Sequence, residues 1–97
     1  HHGQAFTRFG KLNLRNAKHG EDLRPLDETS GHEALNKYSR AYLHHLVRAN
    51  EILGMMLLSW ANIAYYQELM AGMRKAIEED RFEAFKTRTI EGWEKGS

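Results

Sequence analysis

From Asn16 to Lys37 the chain has no hydrophobic period, and Gly20, Pro25, Gly31 and several Asn, Asp and Ser residues punctuate it. A patternless stretch of that length is uncommon inside a compact domain unless a metal or another chain segment pins it. Ninety-seven residues make at most one domain, or a piece of a larger one. A chain this short buries only about 60–65% of its unfolded surface, which leaves a thin stability margin. There are no cysteines, so disulfides are excluded as the pin, and the composition suits a reducing cytoplasm.

The flanks of this arm are periodic. Gln4 to Arg8 alternates about Phe6, Lys11 to Arg15 alternates about Leu12 and Leu14, and Phe9-Gly10 lies between, which predicts a short β-hairpin. After the arm, Ser39 is placed to cap a helix carrying Leu43, Leu46 and Val47 at i, i+3, i+4. Gly54 predicts a break or bend near it, because glycine costs about 1 kcal/mol against alanine inside a helix. Met55 to Leu58 is apolar without interruption and predicts burial on all sides. A further helix is expected after Ser59 or Asn62, with Ile63, Tyr66, Met70, Met73 and Ile77 as its packed stripe. Asp80 and Glu83 have capping-box spacing ahead of a last helix bearing Phe82, Phe85 and Trp93. The expected fold is α+β and mainly α: a hairpin over 1–16, an irregular arm over 17–38, and three to four helices over 39–97.

The formal net charge is only +1, which argues against a dedicated nucleic-acid-binding tail. Locally, however, Arg8, Lys11, Arg15 and Lys18 form a basic run with no acidic residue inside it. Such residues can hold phosphates and position a nucleic acid without reading its sequence. Tyr38, Tyr42 and His45 fall at i, i+4, i+7, on one helical face, which suits either core or a subunit contact, since tyrosine is enriched at interfaces. The carboxylates of Glu21-Asp22, Asp27-Glu28 and Glu78-Glu79-Asp80 read as solvated loop charges and helix caps. No apolar run approaches the roughly 20 residues that span a bilayer. His1-His2 reads as the remnant of a purification tag and Gly96-Ser97 as a cloning scar.

Leu12-Asn13-Leu14-Arg15-Asn16-Ala17-Lys18, Leu23-Arg24-Pro25-Leu26-Asp27 and Tyr38-Ser39-Arg40-Ala41-Tyr42-Leu43-His44-His45-Leu46 together resemble the bacterial tRNA-guanine transglycosylases (queuine tRNA-ribosyltransferases), at their C-terminal end only. The resemblance implies a segment of a (β/α)₈ barrel enzyme, with the hairpin at the barrel edge and the helices in an appended subdomain. It implies tRNA as partner, a homodimer with the helix after the arm contributing to its contact, and cytoplasmic queuosine biosynthesis. The family's nucleophilic aspartate precedes a proline-threonine-arginine motif upstream of His1. Its second aspartate is also in the barrel, so no catalytic residue is expected here and the chain should not exchange bases alone.

The family also carries a structural zinc in this arm, held by three cysteines and a histidine. The corresponding positions are Ser30, His32, Leu35 and Ala61, of which only His32 is a good zinc ligand. No metal and no other cofactor is therefore expected, and packing and hydrogen bonds should hold the arm. His44 and His45 are adjacent on a helix, diverge by about 100° and cannot chelate together, and His32 with one of them would supply only two ligands, too few for a closed structural site. Two other readings stay open: a stand-alone RNA-binding module, or an oligomerisation unit without catalytic activity.

Overall fold

The computed structural model describes residues 3–96, so His1, His2 and Ser97 lie outside the described residues. Alternation makes the hairpin. β1 (Gln4–Thr7) pairs antiparallel with β2 (Gly10–Asn13), Ala5 opposite Leu12 and Phe6 opposite Lys11. Ala5, Thr7, Leu12 and Leu14 face the core, while Phe6 and Lys11 point outward. Gly10 closes the turn at φ +97°, and a Cβ there would meet the Trp93 carbonyl at 3.0 Å.

The arm contains a 3₁₀ turn at Ala17–His19 and a one-turn helix α1 (Glu33–Asn36) capped by His32. It is stitched to the next helix by backbone bonds, Arg40 N–H to the Arg24 carbonyl and Ala41 N–H to that of Asp22, both at 2.8 Å. α2 (Arg40–Arg48) starts where Ser39 Oγ accepts from the Tyr42 N–H at 3.0 Å.

The break expected near Gly54 falls at Asn50, between α2 and the next helix. Asn50 sits in the left-handed region at φ 61°, and the Asn50 and Glu51 N–H groups close on the Val47 and Leu46 carbonyls at 3.0 Å each. Gly54 lies inside the first turn of α3 (Ile52–Glu78), where a Cβ would come 2.9 Å from Leu46 Cβ. It is a close-approach residue. Ser59 and Asn62 cap nothing, because α3 runs unbroken through both for 27 residues, about 40 Å. Asp80 is the left-handed terminator of α3 at φ 57°, not the cap of α4 (Phe82–Lys95). The Asp80 N–H donates to Ile77 and that of Arg81 to Ala76, at 3.1 and 2.8 Å.

The covered face of α3 also differs from expectation. Leu58, Ala61, Ala64 and Ala76 are buried, whereas Met56 is 62% exposed and Tyr66 and Ile77 are each 61% exposed. Ile63, Tyr66 and Ile77 of the expected stripe face outward, Met70 and Met73 are only partly covered, and Met55–Leu58 is not buried all round. Small side chains form the inner face because the hairpin backbone lies directly on it. Asn62 shows how closely: its Oδ1 accepts from the Phe6 N–H at 2.8 Å and its Nδ2 donates to the Gln4 carbonyl at 3.2 Å. One carboxamide thus serves the outer edge of β1 as a third strand would. α4 crosses α3 where a Cβ on Gly72 would strike the Phe85 ring at 2.8 Å, and Trp93 Nε1 donates to the Tyr65 hydroxyl at 2.7 Å.

Candidate functional site

The arm is organised by a buried arginine. Arg40 is 2% exposed; its Nε donates to the Pro25 carbonyl and one terminal nitrogen to that of Leu26, both at 3.1 Å. Its other terminal nitrogen lies 3.8 Å from the Asp22 carboxylate. Asp22 in turn grips Arg24 through both oxygens, at 2.9 and 2.8 Å, and that hydrogen bonding holds its carboxyl well below the usual carboxylate range. Asp27 is buried and accepts from Arg8 Nε at 3.1 Å, from the Thr29 N–H at 3.0 Å and from the Thr29 hydroxyl at 2.6 Å. Asp22 and Asp27 are therefore structural anchors, not solvated loop charges. The sequence marks Arg40 only as part of the segment Tyr38–Leu46 that carries the resemblance; its partners are spread over the arm and become neighbours only on folding.

Two histidines are buried behind this arm. His44 Nδ1 lies 2.7 Å from the Leu14 carbonyl, which can only accept, so that nitrogen carries the proton and donates. His19 has both ring nitrogens buried without a hydrogen-bond partner among the described residues. Burial, with Lys18 and Arg40 nearby, pushes its pKa below 6.5.

The residues at the implied zinc positions do not fit a zinc ion. Leu35 and Ala61 are both 0% exposed, sit in the same core cluster and offer no lone pair. Ser30 Oγ donates to Glu68 Oε2 at 2.5 Å. His32 Nδ1 accepts from the Ala34 N–H at 3.1 Å, and its ring stands edge-on to Trp60 at 5.5 Å. Among the described residues, no group of three or more His, Asp or Glu is placed to hold a metal ion. Apolar packing occupies the middle of the arm, and hydrogen bonds hold its rim.

The basic run does not gather into one cluster. Arg8 belongs to the hairpin turn, tied to Asp27 and stacked over Phe9 at 4.4 Å. Lys11 projects from the outer face, whereas Arg15 and Lys18 lie beyond the open end of the ladder, about 10 Å away along the strands. Tyr38 and Tyr42 do come together, with near-parallel rings 5.8 Å apart. Tyr38 packs on the core, while Tyr42 and His45 are exposed.

The family model for queuine tRNA-ribosyltransferase matches residues 1–95. The chain belongs to the queuine tRNA-ribosyltransferase family. It is 67% identical over 95 residues to the queuine tRNA-ribosyltransferase of Rhizobium meliloti (strain 1021). Identity is 64% to that of Agrobacterium fabrum (strain C58) and 61% to that of Brucella melitensis biotype 1. Each match covers 98% of this chain and 25% of the relative, so the chain spans about a quarter of the length of these family members. A queuine tRNA-ribosyltransferase segment that is mainly helical behind a two-stranded hairpin agrees with the α+β reading of the sequence. Among the described residues no helix is long and apolar enough to cross a membrane.

Proposed function

We propose that this chain is the C-terminal segment of a cytoplasmic tRNA-guanine transglycosylase, which exchanges guanine for a queuine precursor in a tRNA anticodon. The carrying observation is family membership along nearly the whole chain at a quarter of the relatives' length. The segment supplies no nucleophile. Its task is to brace the parent enzyme, to dimerise it through Tyr38, Tyr42 and His45, and to steady the tRNA backbone through Arg8, Lys11, Arg15 and Lys18. The stacked, half-covered tyrosine pair beside an exposed histidine supports the dimer contact, because amphipathic rings tolerate both water and a partner.

Two measurements test this. The coding sequence upstream of Gly3 is expected to continue into a barrel-length frame with an aspartate ahead of proline-threonine-arginine; a start codon there refutes the fragment reading. In the whole enzyme, Tyr38→Ala with Tyr42→Ala is expected to shift sedimentation from dimer to monomer, and an unchanged dimer removes these residues from the contact.

A further inference from the structure

The hairpin turn, the arm and α4, with Tyr65, Glu68 and Leu69 of α3, border an open cleft of about 820 Å³, within the range of small-molecule sites. Arg8, Arg24, Arg88 and Lys95 line it from three separate elements, against the carboxylates of Asp27 and Glu68. Arg88 and Lys95 stand seven residues apart on one face of α4, are exposed, and have no hydrogen bond or ion pair among the described residues. Arg8 and Arg24 are held in place from below by Asp27 and Asp22, so their guanidinium groups are set in direction before any ligand arrives. The rings of Tyr65 and Phe85 form part of the wall.

A groove that combines cations with aromatic faces matches single-stranded nucleic acid, where backbone phosphates meet the charges and bases stack on the rings. An acidic peptide would satisfy the charges and leave the rings unused. We infer that this cleft seats an unpaired stretch of RNA, its phosphates on Arg24, Arg88 and Lys95 and a base against Phe85. The inference rests on the tRNA reading above but locates the main contact away from the outer face of the hairpin. Neither α4 cation belongs to the basic run that the sequence singles out.

The test uses the whole enzyme that carries this segment, a fluorescein-labelled tRNA anticodon stem-loop and fluorescence anisotropy between about 50 and 200 mM salt. Arg88→Gln with Lys95→Gln is expected to weaken binding and to reduce the slope of log K against log salt by about 1.4–1.8, two phosphate contacts. Both side chains are exposed, and an unchanged thermal melt would show that the variant is folded. Lys11→Gln with Lys18→Gln reads the hairpin contact separately and should lower the slope by that contact's own share, whereas Arg74→Gln with Lys75→Gln, exposed on α3 outside both the cleft and the basic run, should leave it intact. If the hairpin variant loses binding while the α4 variant does not, the cleft assignment falls and the tRNA contact stands. If the wild-type enzyme shows no salt-dependent binding, both fall. If poly-glutamate displaces the RNA at equal charge, the site takes any polyanion and the RNA assignment is overturned.

Discussion

Replacing Asn62 by alanine is expected to loosen the hairpin selectively. Asn62 makes two hydrogen bonds to the outer edge of β1, to the Phe6 N–H at 2.8 Å and the Gln4 carbonyl at 3.2 Å. A net contribution of about 0.5–1.5 kcal/mol per bond gives roughly 1–3 kcal/mol for the pair. At about 1.4 kcal/mol per tenfold, the opening equilibrium of β1 rises by roughly 5- to 150-fold. Hydrogen exchange of the Phe6 amide reads this directly, with the Leu43 amide inside α2 as the internal control. Asn62→Asp should fall between the two, since it keeps an acceptor for Phe6 and loses the donor to Gln4. Equal protection of Phe6 in wild type and Asn62→Ala refutes the role. An equal loss at Leu43 also refutes it, because the effect would then be global.

Leu35→Ala should destabilise the chain by about 2–5 kcal/mol in urea unfolding, the usual cost of truncating a fully buried leucine; a loss below about 1 kcal/mol would mean that the arm is not packed on Leu35. Because the folded pKa of His19 lies below 6.5, the unfolded chain binds the proton more readily than the folded chain does. Stability should therefore be fully present above pH 6.5 and decline as the pH falls towards the folded pKa. In a His19→Leu variant the part of that decline due to His19 should vanish from melts recorded between pH 7 and 5, and an unaltered decline excludes it. Dialysis against a strong zinc chelator should leave the melting temperature unchanged, whereas a chelator-induced drop would expose a metal in the arm.

The hairpin could be read from the sequence because alternation and a glycine turn are local signals, and Ser39 capped its helix for the same reason. The arm's missing period was equally plain, but the two residues that tie it down were not: Arg40 and Asp27 gain meaning only from partners up to 19 residues away. The α3 stripe misled for a more instructive reason. A 3-4 spacing of large apolar residues identifies a face of a helix, yet does not say that this face is covered. Here alanines and glycines take the inside, because two backbones approach closely at Gly54 and the Phe85 ring seats on Gly72. Asp80 followed the same logic: its spacing to Glu83 looked like a cap, while its tolerance of positive φ made it a stop. Of the candidate phosphate contacts, Arg88 and Lys95 were invisible until α4 folded back across the hairpin turn.

The apolar centre of the arm also bears on supply. With Leu35 and Ala61 filling the middle and no cysteine anywhere in the chain, the arm has no thiolate for peroxide to oxidise and no ligand set for a scavenger to strip. Leu35 and Ala61 at the centre lead to the expectation that the arm closes without metal delivery, which is what the chelator dialysis reads. Zinc starvation is then expected to leave the yield of folded segment unchanged, since the arm's closure draws on side chains alone.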